Sequence, residues 1–366
     1  MSPHILIIAY SARAYAQMAV REGFYVTTLD AFADADTRAL AQAAHLLRLQ
    51  DGILDVVAFK SQIETLQVFR FDAVLYGSIF DAAPDGLCWL EQRAVVKGNP
   101  ADTLKAMQNK VSFFKSLQQL EIPIPKTWFD TSAASSDGTW LVKRSLASGG
   151  SHVRKWRGEA LQSREYLQQQ IDGVPVSLLF HADGQSAHKV GFNRLLMRDS
   201  DEFPFQFAGA VSRYAIPEEA AKRLLEAAEK LTWHSRLQGI NSLDAMLVDE
   251  NIIVLELNPR LSASATLYPT IPLIRMQLGL QADDFYSGDS RVSELSHSEM
   301  IIYADRDSVI PENIHFPEWV ADIPVAGQII PKHNPVCTVQ AHADTPDAAH
   351  ELLMHRYDQL KTYLEL

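Results

Sequence analysis

The chain opens on a short apolar run, Ile5–Ala9. Ala14, Ala16, Met18 and Ala19 follow at helical spacing, and a second apolar run covers Phe24–Leu29. Short runs read as buried strands, and the i, i+3, i+4 spacing between them as a helix. Glu22-Gly23 ends that helix, because glycine suits the left-handed backbone just past a helix terminus. A further strand is expected in FDAVLYGSIF, Phe71–Phe80. Strands alternating with helices imply right-handed βαβ crossovers and a parallel sheet. Residues 1–100 are therefore expected to form a doubly wound parallel-sheet domain. Its first turn, Ala9-Tyr10-Ser11-Ala12-Arg13, has no glycine. A dinucleotide pyrophosphate needs glycine there for close backbone approach, so Asp30 is read as a strand-end turn residue.

Leu104, Met107, Val111, Phe114, Leu117 and Leu120 predict one helix, closed by Pro123 and Pro125. Gly138–Trp156 reads as strand, glycine-containing loop, strand, and a helix is expected at about Leu161–Gln168. Asp172–Met197 reads as two strands joined by an Asp183-Gly184 turn, and Glu218–Leu237 as an amphipathic helix. The last seventy residues mix short strands, such as Cys337–Ala341, with a helix near Asp347–Tyr363.

The run Ile252–Asn258 is apolar except for Glu256 and Asn258. A buried carboxylate is costly unless something pairs with it. Ser242–Val248 lies just upstream, across Asp249-Glu250-Asn251, which predicts a hairpin. With those three residues as the loop, Val248 opposes Ile252 and Asp244 opposes Glu256, with Asn258 on the same face. Two facing carboxylates repel unless a cation lies between them. With a neutral amide oxygen they make a hard-oxygen set suited to Mg²⁺ bridged to phosphates, or to Mn²⁺. The alternative is a solvated strand face, or carboxylates paired with Lys or Arg.

Composition narrows the class. A net charge of −12 and a pI of about 5.4 argue against a general nucleic-acid binder, which shows a basic face. Cys88 and Cys337 form no metal or redox spacing, and the first apolar run is too short for a membrane span. A reduced, cytoplasmic chain without a membrane partner is expected. His152, His181, His188 and His234 show no metal spacing and are read as structural.

A metal–phosphate site also needs cations and backbone donors. Lys143 precedes the loop Ser148-Gly149-Gly150-Ser151, whose N–H groups could face phosphates. Alone, the loop is better read as an ordinary hairpin turn, and Lys110 as a solvated lysine. Arg260, directly after Pro259, is expected to leave its guanidinium free to face the site. Arg194 and Arg213 are candidate contacts for a substrate carboxylate.

In order, Asn109-Lys110, Ile122-Pro123-Ile124-Pro125, Lys143 before the SGGSHV loop, Gln168–Gly173, Asp244 and Glu256-Leu257-Asn258-Pro259-Arg260 resemble the ATP-grasp superfamily over roughly Pro100–Phe285. The resemblance implies an ATP-grasp fold with nucleotide between two subdomains, in an α/β chain with mixed α+β parts. Expected divisions are an N-terminal domain over 1–100, the ATP-grasp domain over 101–290 with its lid at about 125–195, and a mixed extension over 291–366. It implies that Lys110 and Lys143 contact ATP phosphates and that Ser148, Gly149, Gly150 and Ser151 form a lid. Gln169, Gln170 and Ile171 become the adenine hinge, and Asp244, Glu256 and Asn258 hold Mg²⁺. Arg260 is expected to steady the transferred phosphoryl group. Glutamines replace the usual hinge glutamate, and Val174-Pro175-Val176 stands where many members carry a ribose-binding glutamate.

Ser11–Thr37, Gly173–Phe180 and Asn334–Ala343 more closely resemble ATP-grasp carboligases found beside one-carbon cofactor genes. That resemblance implies an ADP-forming carboxylate–amine ligase working through an acyl phosphate. Its substrates would be a small carboxylate and an amine, as in joining glutamate to tyramine for methanofuran-type cofactors. A bicarbonate-using carboxylase and a non-catalytic MgATP-binding regulator are the alternatives. A homodimer is a further expectation.

Overall fold

The computed structural model describes residues 2–364 apart from 133, 136–137 and 281–294. The expected boundary at 290 and the Phe285 end of the family resemblance lie outside the described residues. The N-terminal sheet is five-stranded and parallel, in the order Ala43–Leu46, Tyr25–Asp30, His4–Ile8, Ala73–Tyr76, Val96–Lys97. Alternate residues of the central strand serve two cores. Leu6 and Ile8 pack with Phe59, Ile63 and Phe80, while Ile5 and Ile7 pack with Leu261, Leu273 and Ile274. The second set couples this sheet to the segment that follows Arg260.

An eight-stranded antiparallel sheet forms the body. Its order is Asn251–Asn258, Gln238–Val248, Val174–Asp183, Ala187–Met197, Phe207–Ser212, Ser296–Tyr303, Pro335–Ala343, Val320–Ala321. The last three strands carry the C-terminal residues into the same sheet. The helix Glu218–Ser235 covers one face with Ala220, Leu224, Ala227, Ala228 and Leu231. A four-stranded sheet, Arg154–Lys155, Trp140–Arg144, Glu165–Gln169, Thr127–Trp128, stands apart with its own small core of Trp140, Val142, Trp156 and Leu167. Among the described residues no helix is long and apolar enough to cross a membrane.

Three expectations are corrected. The helix expected at 161–168 is instead the strand Glu165–Gln169, which pairs antiparallel with Trp140–Arg144. Its Tyr166, Leu167 and Gln168 are all buried, and Arg164 before them takes φ +68, which no helix continues through. The single helix expected before Pro123 is two, Ala101–Gln108 and Lys110–Gln119. Asn109 breaks it with ψ 86 and caps the second helix by accepting from the Ser112 N–H.

The third correction concerns the hairpin register. Val248 pairs with Asn251, so the turn holds only Asp249 and Glu250, with Asp249 at φ +52. A regular ladder from there would bring Leu255 opposite Asp244. A β-bulge between Asp244 and Ala245 absorbs one residue, and Asp244 faces Glu256 after all. Ile252, Val254 and Leu257 are buried, so the apolar alternation breaks at the bulge.

Candidate active site

The bulged hairpin brings Asp244, Glu256 and Asn258 together at the sheet edge. The Asn258 amide donates to Asp244 Oδ2 at 3.0 Å. Burial pushes the Asp244 carboxyl up to about 7, and the facing Glu256 adds to this. Burial opposes charge on Glu256 as well, but Lys110 and Lys143 outweigh it and hold that carboxyl below its ordinary range. The break at Asn109 makes Lys110 the first residue of its helix. Its Nζ, buried to 5% exposure, lies 3.2 Å from Glu256 Oε1.

Lys143 approaches from the small sheet, where its Nζ donates to Gln168 Oε1 at 2.6 Å. Burial pulls its pKa down to about 8, against Glu256, which favours the charged form. Gln168 is 1% exposed and donates onward to Thr127 Oγ1 at 3.2 Å. Two lysines, two carboxylates and an amide oxygen thus converge from three elements. One carboxylate is left short of positive charge, which fits a divalent cation bound by hard oxygens.

Arg260 departs from expectation. Its guanidinium is held by Asp81, with Nε at 3.0 and 2.9 Å from the two carboxylate oxygens and Nη2 at 2.6 Å from Oδ2. Nη2 also donates to Asn258 Oδ1 at 3.1 Å. Both side chains are buried, and Asp81 holds the Arg260 pKa above its ordinary value against the effect of burial. Arg260 therefore borders the oxygen cluster but is latched to Asp81, just beyond a strand of the N-terminal sheet. Behind Pro259 the chain has no free choice of direction, because Leu261 is anchored in the N-terminal core.

The loop 148–151 packs against the segment 203–207. The Phe207 N–H donates to the Gly149 carbonyl at 2.9 Å. Gly150, at φ +77, lies so close that a Cβ there would come within 2.0 Å of the Phe205 carbonyl oxygen. Ser148, Gly149 and Ser151 are exposed. Gln169, Gln170 and Ile171 leave the small sheet at the join with the large one. The Gln169 N–H is engaged by the Lys126 carbonyl and the Gln170 N–H by that of Thr139.

Sequence reasoning missed four residues around this cluster. Asp81 follows the parallel strand Ala73–Tyr76 and its 3₁₀ turn, at the carboxyl end where ligand-facing residues collect in such sheets. That position is the signal that could have found it. Gln168 and Tyr166 were hidden by the expected helix; Tyr166 lies within electrostatic range of Glu256. His152 falls within the field of Glu256 and Lys143, with burial pulling its pKa down to about 4, and among the described residues its Nδ1 has no hydrogen-bond partner. Of the two arginines expected near a substrate carboxylate, Arg213 adjoins Tyr268 and Arg194 acts on His350 of the C-terminal helix.

A polar row continues inward from the cluster. Ladder partners run Glu256, Asp244, Ser177, Asn193, Ser212 across five strands. Tyr268 closes over it, donating to Asn193 Oδ1 at 2.7 Å. Its ring lies where a Cβ on Gly191 would be, so glycine is required for this approach.

This architecture, an antiparallel sheet and a small strand-rich lid enclosing paired lysines and carboxylates, is an ATP-grasp fold. Residues 107–264 match the family model of the ATP-grasp domain. Sequence comparison with curated proteins gives no match. Among solved structures the chain is similar to an L-amino acid ligase from Bacillus licheniformis, with 15% identity and a TM-score of 0.69 over 98% of this chain and 97% of that one. It is also similar to N5-carboxyaminoimidazole ribonucleotide synthetase from Thermotoga maritima, with 14% identity and a TM-score of 0.67 over 97% of each chain. Rhizobium etli pyruvate carboxylase gives 13% identity and a TM-score of 0.71 over 96% of this chain, which spans 36% of the carboxylase chain. At these identities the likeness is one of fold.

Proposed function

We propose that the chain is an ATP-dependent ligase that activates a carboxylate as an acyl phosphate and passes the acyl group to an amine. The observation that carries this reading is the convergence of Lys110 and Lys143 on the Asp244–Glu256–Asn258 cluster. Such a set suits the polyphosphate of a nucleotide bound with Mg²⁺. Asp244, Glu256 and Asn258 would hold Mg²⁺, which when bound supplies neutralising charge to the phosphates. Lys110 and Lys143 place two further positive charges beside them, and Gln168 fixes the Lys143 ammonium in position. Gln169, Gln170 and Ile171 would form the wall for adenine.

A carboxylate oxygen of the substrate attacks the γ-phosphorus, the bond to ADP breaks, and ADP carries away the electron pair. The amine nitrogen then attacks the acyl carbon, inorganic phosphate leaves, and one proton is released. Arg260, aimed by Asp81 and Asn258, would stabilise the charge that develops on the transferred group. Ser148, Gly149, Gly150 and Ser151 would exclude water, which hydrolyses an acyl phosphate. The finer reading is glutamate–amine ligation in one-carbon cofactor synthesis. It is supported by the resemblance carried by Ser11–Thr37, Gly173–Phe180 and Asn334–Ala343.

Purified protein with MgATP should release ADP and phosphate only when a carboxylate and an amine are both present. Glutamate with tyramine heads the panel. AMP in place of ADP would contradict the acyl-phosphate route, and release driven by bicarbonate would reassign the chain to carboxylation. Tight MgATP binding without turnover on any acid would make it a regulator.

A further inference from the structure

Nδ1 of His152 is buried and, among the described residues, has no hydrogen-bond partner. Buried polar atoms in folded chains are almost always paired, so an orphan beside the proposed phosphate site points to a ligand atom. The backbone that carries the ring is fixed. The Gly150 carbonyl accepts the Val153 N–H at 3.0 Å, which closes a turn with His152 at its third position. Gly149 and Gly150 dock that turn on residues 203–207.

The place of the turn along the small sheet says which ligand atom it meets. In the strand Trp140–Arg144, Trp140 pairs with Gln169 at the proposed adenine hinge, and Lys143 pairs with Tyr166. Three residues of strand, about 10 Å, therefore separate the hinge from Lys143. The returning strand pairs Lys155 with Leu141 and Arg154 with Val142, so the turn before it lies at or beyond the level of Lys143, away from the hinge. Glu256, Lys143, Arg144 and Lys110 are all within electrostatic range of the ring. Adenine and the terminal phosphate are opposite ends of ATP, so a nucleotide laid from the hinge past Lys143 brings its last phosphate to this turn. Burial pulls the His152 pKa down to about 4, against Glu256 and together with the three cations, so the ring is neutral at pH 7.5. A neutral imidazole has one N–H and one lone pair, and an ionised phosphate oxygen only accepts. A contact at Nδ1 therefore selects the tautomer protonated there.

We propose that His152 is a substrate-contacting residue of the lid, which donates from Nδ1 to an oxygen of the terminal phosphate of ATP and so separates triphosphate from diphosphate. The identity of the nucleotide rests on the ligase reading; the orphaned nitrogen does not. Because the contact is to the group transferred, it stays with the phosphoryl as the carboxylate takes it and adds nothing to the hold on ADP.

The test is calorimetry on the full chain at pH 7.5 with Mg²⁺, using ADP and adenylyl imidodiphosphate, an ATP analogue that resists cleavage of its terminal phosphate. His152→Ala should weaken the analogue by about tenfold, the worth of one charge-assisted hydrogen bond, and leave ADP within about twofold. Asparagine carries its amide nitrogen where imidazole has Nδ1, and glutamine carries its own near Nε2. His152→Asn should therefore hold the analogue within about threefold of the parent, while His152→Gln loses as much as alanine. This pair decides the matter if the alanine variant fails to fold. Equal weakening of both nucleotides would make His152 a structural residue of the turn and overturn the contact alone. Undiminished analogue binding in all three variants, or rescue by glutamine in place of asparagine, overturns it equally. A parent that binds neither nucleotide overturns the ligase reading and the contact together. The expected pattern with no ADP release on any acid would sink the ligase reading and leave the contact standing.

Discussion

Replacing Asp81 by Asn keeps the shape of the side chain and removes its charge. Arg260 then stays buried with its guanidinium facing an amide. Asp81 now accepts from both Nε and Nη2 at 2.6 to 3.0 Å. After the substitution Nη2 keeps Asn258 Oδ1 at 3.1 Å and Nη1 keeps the Leu261 carbonyl at 3.2 Å. Breaking a buried ion pair by removing one partner costs roughly 3–5 kcal/mol, and the retained acceptors place this case near about 3. With an unfolding entropy of about 2.1 cal/mol/K per residue, each kcal/mol shifts the Tm of this 366-residue chain by about 1.3 °C, so the variant should melt roughly 4 °C below the parent. The double variant Asp81→Leu with Arg260→Met should recover most of that loss, because no unpaired charge remains, while losing ligase activity with Arg260. Thermal unfolding at pH 7.5 of the parent, Asp81→Leu, Arg260→Met and the double closes the cycle. An Asp81→Asn variant melting within about 1 °C of the parent would refute the latch, and so would strictly additive losses.

Three further outcomes follow from the same geometry. With Lys143 at about 8, its positive charge is present below that pH and lost above it, so the Kd for a fluorescent ATP analogue should rise by about tenfold per pH unit above 8. Lys143→Arg should flatten the rise between pH 8 and 9.5, and a parent curve flat over that range would contradict the assignment. Gly150→Ala sets a Cβ against the Phe205 carbonyl at φ +77, so the loop must undock; ADP release should drop by at least about tenfold with little change in Tm. Glu256→Gln removes the charge that faces both lysines and should cut turnover by about a hundredfold or more while the fold persists, read by ADP release and circular dichroism.

The parallel sheet and the facing of Asp244 and Glu256 were legible because both rest on hydrophobic periodicity, which local sequence carries. The facing of Asp244 and Glu256 was right although the register expected at the turn was not. A one-residue error in the turn was cancelled by the bulge at Asp244/Ala245, which the sequence hides because Ile252, Ile253, Val254 and Leu255 are all apolar. Leu161–Gln168 was misread because its three consecutive buried residues, Tyr166, Leu167 and Gln168, alternate with neither period. The Asp81–Arg260 pair joins residues that follow strands of two different sheets across a long sequence separation, so no local signal announces it. Asn109 illustrates the intermediate case. Its capping role is a recognisable local preference, yet the apolar stripe runs straight through it and masks the break.

The central claim is that a carboxylate oxygen attacks the γ-phosphorus of ATP. Supplying a carboxylate substrate labelled with ¹⁸O, together with MgATP and the amine, tests it directly by mass spectrometry of the released phosphate. The account predicts one ¹⁸O in each phosphate formed, with ADP as the coproduct. Unlabelled phosphate, or label appearing in AMP, would contradict it.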